Sequence, residues 1–512
     1  MTRACSHPPS QPATTPFSMP NLLAPPKPAL HRAIGRCLAA ISRTAPVPQA
    51  RKRELPFAVQ ELSRILTSER AELRHSYWTH SRLVSAYLYY FLPWNLYRLG
   101  WLIPQLDLGL GKHSRILDLG SGPLTLPLAL WCARPDLRDT PMTFVCSDVS
   151  ERPLSAGLAL FRELGAEKDG PWRFTTLRAP LEVALSRAAT PENDGYSLIM
   201  AGNVLNELSP LKNRTPEERV ERSVAVAARL LKPGGRLFLV EPGTRLGSRS
   251  LCTARAAALS AGMEILAPCP HKGPCPMFGQ RAYYPPSPHF TGWCHFLCPA
   301  KDAPAQLASL AAQAKLAKQS LALSCLLAQR PMSSEGTEPG ARAGAFPGFD
   351  LAELEALYEE AMRDEGESSP PHAAPEAEDS PRFAQAGLPL PQVTEPMVAR
   401  VISDLIRLPD HREPARYACC PKGLALLTDA VRVPSGAASL VHSLAPGEEG
   451  APSGNTGARS GRKPEEKRGE RPGKAGVKAK QAATAPVGEV RDAKTGALMV
   501  ALVGRQRPQT GQ

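Results

Sequence analysis

An alternation of short apolar strands and helices, which starts at a glycine-rich turn, constrains the fold of this chain more than any other feature. The apolar run Arg115–Leu119 leads directly into the turn Gly120–Gly122. Strands that alternate with helices are joined by crossovers and pair into a parallel sheet covered on both faces. The sequence therefore predicts an α/β, doubly wound, Rossmann-like domain with N-terminal helices, a metal-binding loop region and disordered ends. The predicted strands are 115–119, 142–147, 197–201, 236–241 and 321–329, and the predicted helices include 125–132, 153–164 and 216–231.

Composition divides the 512 residues into ordered and low-complexity regions. With 54 prolines and only 6% aromatic residues, long stretches lack the side chains that build a core. No run of eighteen apolar residues occurs, so the sequence predicts no membrane span. The predicted regions are a disordered basic arm (1–53), an N-terminal helical region (54–112), an α/β domain (113–266), a cysteine cluster with a final helix and strand (267–330), an acidic low-complexity insertion (331–392), a small C-terminal β segment (393–432) and a basic low-complexity tail (433–512).

Charge and cysteine content suggest a partner and a compartment. The net charge of +13 is concentrated toward the two ends and favours an anionic partner, most simply RNA. The first 53 residues contain eight Lys or Arg and no Asp or Glu. Such a segment suits a disordered arm of a bacterial cytoplasmic protein, which is the lead prediction, or a presequence for the mitochondrial matrix, which is the alternative. Twelve cysteines without a secretory signal indicate a reducing compartment.

The turn after the first strand, Asp118-Leu119-Gly120-Ser121-Gly122, is a candidate nucleotide site. In a doubly wound sheet the ligand binds at the carboxyl ends of the strands, and glycines there let the backbone approach it without Cβ atoms. A dinucleotide fingerprint needs a third glycine, where this chain has Thr125. The Asp-x-Gly-x-Gly form instead resembles the first motif of class I S-adenosylmethionine-dependent methyltransferases.

Three further segments follow in the order found in that superfamily. Asp148 ends the second strand, where such sites use a carboxylate to hold the ribose hydroxyls. Asn203 ends the fourth strand, where the superfamily often lines the cofactor and the acceptor, and Lys232–Gly235 resembles the turn before the fifth strand. The resemblance therefore implies a class I methyltransferase domain. The predicted cofactor-binding residues are Asp118, Gly120, Gly122, Asp148 and Asn203.

The sequence assigns no catalytic residue. Methyl transfer needs an aligned acceptor and often a group that takes its proton. The Asn-Pro-Pro-aromatic signature of amino-group methyltransferases is absent, as is a paired cysteine motif of the cytosine-C5 type. Glu207 is a candidate base, although a carboxylate at the end of a strand is more often a cap or an ion-pair partner.

Cysteines in two short clusters follow the α/β region, in Cys269–Cys275 and in Trp293–Cys298. Thiolates at such spacing select a soft metal centre, either Zn²⁺ or an iron–sulfur cluster. On spacing alone zinc leads, because structural zinc is common and each cluster also contains a histidine. A fourth ligand is needed, and Cys298 competes for that position with the remote pair Cys419-Cys420.

Together these motifs resemble the methyltransferase-like family of mitochondrial small-ribosomal-subunit assembly and its bacterial relatives. The resemblance covers about residues 54–330 and a short stretch around Ala418–Gly423. Its most specific parts are Cys269-Pro270-His271 and Trp293–Phe296. It implies binding to small-subunit rRNA and a [4Fe-4S] cluster whose ligands map to Cys269, Cys275, Cys294 and Cys419.

The lead hypothesis is a monomeric protein that binds S-adenosylmethionine and a [4Fe-4S] cluster and acts on the small ribosomal subunit, through rRNA methylation, subunit assembly or both. One alternative is a non-catalytic assembly factor that keeps only the fold, and another is a zinc-stabilised small-molecule methyltransferase. Two departures from the family pattern leave the fourth ligand open. A spare thiol, Cys298, follows the Trp-Cys-His-Phe motif, and Cys420 stands beside Cys419.

Overall fold

The structure of the protein is a computed structural model, and three parts are described: N-terminal helices, a large sheet with its helices, and a small barrel. No helix among the described residues is long and apolar enough to cross a membrane. The described residues are 21–67, 77–165, 170–189, 195–211, 214–277, 293–332, 352, 355–356, 396–403, 405–406, 414–427, 433–443 and 497–502.

Helices at the N-terminal end pack against one face of the sheet. In the helix Pro28–Thr44 the side chains of Ile34, Cys37 and Ile41 are buried on one face. They join a core shared with the helices Leu92–Leu102 and Thr125–Ala133. The prediction of a disordered arm over 1–53 is therefore wrong for 28–44, because this apolar stripe has a partner to pack against. Residues 1–20 lie outside the described residues. The helices are α1 Pro28–Thr44, α2 Gln49–Lys52, α3 Leu55–Thr67, α4 Ser81–Ala86 and α5 Leu92–Leu102, with a π-helical turn, Tyr87–Phe91, before α5.

The sheet has eight strands in the order β3-β2-β1-β4-β5-β8-β6, and β7 pairs with β8 as well. Strands β1 to β5 are parallel, and β8 runs antiparallel between β5 and β6. The elements are β1 Ser114–Leu119, α6 Thr125–Ala133, β2 Met142–Asp148, α7 Glu151–Glu163, β3 Trp172–Arg178, α8 Leu181–Ala188, β4 Tyr196–Gly202, α9 Pro216–Leu230, β5 Leu231–Pro242, α10 Arg245–Ser260, β6 Glu264–Ala267, β7 Phe296–Pro299, α11 Ala305–Gln313 and β8 Ser320–Gln329.

This order confirms the predicted doubly wound α/β fold. Helices α8, α9 and α10 cover one face of the sheet, and α1, α5, α6 and α7 cover the other. The strand order reverses between β1 and β4, and the carboxyl ends of strands at such a switch point form the ligand crevice of open α/β sheets. The sequence prediction lacked β3, β6 and β7, which are short or carry exposed polar residues.

The barrel is closed by five strands in the order β10-β11-β13-β12-β9. Its strands are β9 Met397–Val401, β10 Arg416–Cys420, β11 Gly423–Leu427, β12 Ala438–Ser443 and β13 Leu498–Leu502. Only β11 and β13 pair in parallel, and this arrangement is that of an OB-type barrel. Strands β12 and β13 lie in the region predicted as a low-complexity tail (433–512), so that prediction is wrong at those two strands. Most of the predicted insertion, 331–392, and residues 444–496 lie outside the described residues.

The barrel packs directly against the sheet domain. Tyr417 and Leu424, on the outer face of β10 and β11, pack against the core that the N-terminal helices share with the sheet. Arg400 Nε on β9 donates a hydrogen bond to the carbonyl of Pro268, 3.0 Å away. The backbone amide of Leu297 on β7 donates to Ser435 Oγ at 3.3 Å. The loop after β6 and the strand β7 are thereby held to the barrel.

Candidate cofactor site and thiol pocket

The glycine turn lies at the carboxyl end of β1, beside the switch point. Gly120 and Gly122 have φ values of +61° and +53°, a backbone conformation that glycine adopts without a Cβ penalty. The amide of Gly122 donates to Asp148 Oδ2 at 3.0 Å, which fixes the turn to the end of β2. The structure therefore brings together the three motif residues and Asp148, as the sequence order suggested.

Asp118 is a buried acid beside this turn. Its Oδ2 accepts a hydrogen bond of 2.5 Å from Ser121 Oγ, and its Oδ1 is buried without a hydrogen-bond partner. Burial raises the pKa of Asp118 to about 8, so the carboxyl is mostly protonated near neutral pH. A buried oxygen without a partner at the cofactor edge, by which we mean the glycine turn with Asp118 and Asp148, is the kind of polar atom that a bound ligand satisfies.

Asp148 keeps hydrogen-bonding capacity for a ligand. Its Oδ1 accepts from the amide of Ser150 at 2.9 Å, and its Oδ2 accepts from Gly122. Burial raises its pKa, whereas the two amide hydrogen bonds lower it. Because each carboxylate oxygen can accept more than one hydrogen bond, Asp148 can still receive hydroxyl donors.

Asn203, which follows β4, and the two residues after it are held by two buried ionisable side chains that the sequence motifs did not identify. Arg98 of α5 donates from Nη2 to Asn203 Oδ1 at 2.6 Å. Glu241, at the end of β5, accepts from the amides of Val204 and Leu205 at 3.1 and 2.9 Å. The sequence signal that could have identified Arg98 is a charged residue inside the apolar run Leu92–Leu102. Asn203, which has a φ of +62°, is therefore fixed in place.

An aromatic cluster lies near the same edge. Tyr77 and Tyr87 are stacked with ring centroids 5.8 Å apart, and Trp78 lies 4.9 Å from Tyr87. Burial is the main reason why the pKa values of both tyrosines are raised, and the charges of Glu207 and Asp148 raise them further. Glu207, the candidate base, is thus close to the predicted cofactor residues. It lies exposed in a short 3-10 turn.

The fold itself restricts the residue at position 120 to glycine. A Cβ atom at this position would collide with the side chain of Val204. The missing Cβ atom therefore leaves room for a side chain of the protein itself and not only for an approaching ligand. A larger residue at Gly120 would therefore strain the fold before it met any cofactor.

Three separate segments bring four thiols to one pocket between the sheet domain and the barrel. Cys269 and Cys275 lie in the loop after β6, Cys294 lies just before β7, and Cys419 lies on β10. The pocket has an empty volume of about 280 Å³, including its opening to solvent. Its other lining residues are Pro268, Pro270, Met277, Arg400 and Ile402.

Two buried arginines face these thiols. Arg255 of α10, 4% exposed, donates from Nε to Cys269 Sγ at 3.1 Å and from Nη2 to the carbonyls of His271 and Gly273 at 2.8 Å each. Arg400 of β9, 1% exposed, lines the pocket itself. The pocket is therefore lined by sulfur atoms and has positive charge around it. Neither arginine lies in a sequence motif that predicts contact with the cysteines.

Burial dominates the ionisation of the pocket. It raises the pKa of the Cys269 thiol to about 11 and raises those of Cys294 and Cys419 as well. His271 Nε2 lies 3.1 Å from Cys419 Sγ, and burial, followed by the charge of Arg255, lowers the pKa of His271 to about 4.

The competing thiols lie elsewhere. Cys298 is fully buried within the sheet domain, with its Sγ 3.6 Å from the carbonyl of Leu321. Cys420 belongs to the core of the barrel. Neither lines the pocket. A further thiol, Cys252 of α10, lies with its Sγ 3.7 Å from that of Cys275, and sequence reasoning did not consider it.

The pocket is not a preformed site for a single ion. Within the described ranges, no three His, Cys, Asp or Glu side chains are arranged so that they could hold one metal ion. The structure thus brings the four predicted thiols to one pocket without bringing them to one point.

Strand order, the switch-point turn and its acidic partner define this protein as one with a class I methyltransferase fold. Residues 112–320 match the family model described as mitochondrial small ribosomal subunit Rsm22, so this part of the chain is similar to that family. Two relatives are Rsm22-cox11 tandem proteins 1 and 2, mitochondrial, of Schizosaccharomyces pombe. Each is 28% identical over 175 residues, covering 32% of this chain and 21% of the relative. The chain thus matches about a fifth of the length of these relatives.

Solved structures similar to this chain include methyltransferases at low identity. Magnesium protoporphyrin IX methyltransferase of Synechocystis, with bound S-adenosylmethionine, is 16% identical, with a TM-score of 0.26 over 47% of this chain and 79% of that one. The [4+2]-cyclase SpnF is 18% identical, with a TM-score of 0.25 over 44% of this chain and 77% of that one.

Proposed function

We propose that the protein binds S-adenosylmethionine and a [4Fe-4S] cluster and acts on the small ribosomal subunit, through rRNA methylation, subunit assembly or both. The observation that carries this proposal is the meeting of four thiols from three segments with two buried arginines, next to a methyltransferase-fold sheet. The match to a small-ribosomal-subunit family supplies the partner.

The cofactor edge fits S-adenosylmethionine. The turn at Gly120 and Gly122 gives close backbone approach, and Asp148 has acceptor capacity for the ribose hydroxyls. Asp118 Oδ1 can receive a donor from the ligand. S-adenosylmethionine would supply an electrophilic methyl group, and Asn203, held by Arg98, would bound the site on the β4 side.

The donor set of the pocket fits a metal–thiolate centre with Cys269, Cys275, Cys294 and Cys419 as ligands. Keeping two guanidiniums buried against neutral thiols is costly, whereas metal-bound thiolates supply negative charge that the guanidiniums attract. A cubane holds its four cysteines on separate iron atoms, whereas zinc needs every sulfur about 2.3 Å from one point. The cluster would fasten the barrel to the sheet domain.

The proposed partner is small-subunit rRNA. The net charge of +13 favours a polyanion, and OB-type barrels commonly bind oligonucleotides. Part of the outer face of β10 and β11 already packs on the sheet domain, so RNA contacts would use other parts of the barrel surface. The names of the matched family and relatives include the word mitochondrial, which favours the matrix over the bacterial cytoplasm as the compartment. We further propose that the free protein is a monomer.

A second candidate function, a non-catalytic assembly factor, is favoured by one observation. The side-chain oxygen of Asn203 is engaged by Arg98, so it does not point freely toward a methyl acceptor. A factor of this kind would keep the fold and the metal centre without transferring a methyl group.

The decisive experiment is the visible spectrum of anaerobically purified protein, with iron, acid-labile sulfide and zinc quantified. We expect a brown protein with about four iron and four sulfide per chain, as a Cys₄ cubane requires. Stoichiometric zinc without sulfide would contradict the cluster.

Two binding measurements test the other parts of the proposal. Calorimetry with S-adenosylmethionine should show binding, and its absence would favour the non-catalytic factor. Affinity for small-subunit rRNA should fall steeply with salt. RNA affinity that does not change when the salt concentration rises would contradict a charge-driven partner.

A further inference from the structure

Cys252 is a fifth thiol, next to the pocket but not in its lining. It lies on α10, 7% exposed, and its Sγ is 3.7 Å from Cys275 Sγ. It does not line the pocket, whereas Cys275 does and is partly exposed. A proposed metal ligand therefore has a second thiol, which does not line the pocket, in direct contact with it.

We propose that Cys252 and Cys275 form a reversible disulfide when the metal centre is absent, and that this disulfide competes with metal binding. The inference rests on the proposed metal centre in one respect only, namely that Cys275 is one of its ligands. Since a sulfur atom in a disulfide cannot serve as a thiolate ligand, the oxidised pair leaves the centre one ligand short.

The oxidant in this proposal is a small disulfide such as oxidised glutathione. The sulfur of Cys275, which is the more exposed of the two, attacks one glutathione sulfur and loses its proton, and one molecule of reduced glutathione leaves. The sulfur of Cys252 then attacks the Cys275 sulfur of the mixed disulfide and releases the second reduced glutathione. Two protein thiols are oxidised and one glutathione disulfide is reduced to two thiols, so atoms and electrons balance.

A second close pair shows why access matters. Cys37 of α1 and Cys132 of α6 have their Sγ atoms 3.5 Å apart, closer than the Cys252–Cys275 pair. Both are only 2% exposed, within the core between the N-terminal helices and the sheet. Both pairs therefore have their sulfur atoms in contact, and they differ in that only the Cys252–Cys275 pair has a partly exposed member, Cys275. Exchange with an external disulfide needs a reachable sulfur, so we expect only the pair at the pocket to react in the folded protein.

The test uses the full chain, freed of metal with a chelator under nitrogen and treated with oxidised glutathione. Free thiols are then alkylated and the peptides are mapped by mass spectrometry. We expect a linked peptide pair containing Cys252 and Cys275, and at least a fivefold loss of iron uptake on reconstitution, which dithiothreitol reverses. The metal-loaded protein should give no such link.

Two variants make the test specific. Cys252→Ser should keep glutathione on Cys275 and give no link, because the resolving thiol is missing. Cys37→Ser, the matched control, should give the same link as the wild type. The proposal is overturned if the wild type gives no link between Cys252 and Cys275, if the linked pair is Cys37 with Cys132, or if linked protein takes up iron normally.

Failure of this proposal and failure of the metal centre look different. If the protein takes up iron and sulfide but gives no link, the disulfide proposal alone fails. If no preparation takes up metal, the metal centre fails, and the competition proposed here fails with it even where the peptide map shows the link.

Discussion

The cofactor edge and the thiol pocket are built from the chain in opposite ways. At the cofactor edge, Asp118, Gly120 and Gly122 belong to one short sequence motif, and Asp148 ends the neighbouring strand. At the pocket, the thiols come from the loop after β6, the residues just before β7 and a strand of the barrel. The first site depends on one local turn, whereas the second depends on the docking of two parts of the molecule. Damage to one site should therefore leave the other intact.

The largest expected effect is the loss of the metal centre when a pocket thiol is removed. Cys269→Ser and Cys294→Ser should each reduce iron from about four per chain to near zero and bleach the visible spectrum, because each variant removes a ligand. Cys298→Ser is the matched control and should stay brown, since Cys298 does not line the pocket. S-adenosylmethionine affinity should be unchanged in all three variants. A bleached Cys298→Ser protein would show that the ligand set is wrong.

The neighbouring thiols on β10 give a sharper form of the same comparison. Cys419→Ser should bleach the protein, whereas Cys420→Ser should stay brown, because Cys419 lines the pocket and Cys420 lies in the barrel core. Loss of the centre should also loosen the barrel, which limited proteolysis would detect as faster cleavage after residue 330. If the double variant Cys419→Ser/Cys420→Ser keeps its colour, the barrel supplies no ligand.

The converse test removes the acid at the cofactor edge. Asp148→Ala should weaken S-adenosylmethionine binding roughly 10–100-fold, as expected for a charge-assisted hydrogen bond of about 1.5–3 kcal/mol. Iron content should not change. Calorimetry measures the affinity, and Asp139→Ala, at an exposed aspartate away from the glycine turn, is the control. Equal affinities for the Asp148→Ala protein and the wild type would remove Asp148 from the cofactor site.

A smaller effect concerns stability at the glycine turn. Gly120→Ala should lower the free energy of unfolding by more than Gly165→Ala does, although both positions have positive φ. The backbone cost is about 1–2 kcal/mol at each, and only the Gly120 variant adds a collision with Val204. Urea unfolding of the two variants measures the difference, and Val204→Ala in the Gly120→Ala background should recover part of it. If the two glycine variants are equally stable, the collision is unimportant.

The smallest effect is a change in pH dependence. Burial raises the pKa of Glu241 to about 8 from an ordinary value near 4.5. Between these two pH values the Glu241 carboxyl is therefore protonated in the folded protein and ionised in the unfolded chain. Its contribution to stability is therefore present in acid and is lost as the pH rises toward 8. Glu241→Gln should flatten the fall in the free energy of unfolding between pH 5 and 8, by at most about 1.4 kcal/mol per pH unit. Urea unfolding at both pH values measures it, and an unchanged slope would contradict a protonated Glu241.

The two regions also differ in how far the sequence predicts them. The parallel sheet and its glycine turn follow from hydrophobic patterning and one motif, both of which lie within a short stretch of chain. The thiols at positions 269, 275 and 294 could be recognised from their motifs. The arginines that face them could not, since Arg255 is on a helix and Arg400 on a barrel strand, and only the folded chain shows that they meet. Cys252 was missed for the same reason.

The barrel shows the limit of composition as a guide. Residues 444–497 separate β12 from β13, and their low-complexity sequence led to the prediction of a tail for the whole region 433–512. Strand β13 itself has the apolar residues Leu498, Met499 and Val500. A five-residue strand that pairs with β11 and β12 across such an interval has no local signal that sets it apart from an isolated apolar run.

The position of β13 also sets a time order for the making of this protein. Synthesis runs from the N-terminus, so β1 and its glycine turn leave the ribosome hundreds of residues before β13. The barrel cannot close until Leu498–Leu502 has emerged to lie between β11 and β12. Cys419 is therefore translated well before its strand belongs to a finished barrel. A metal centre that needs the closed barrel could thus load only after β13 has been made, and a chain that stops before β13 would have its cofactor edge without a finished barrel.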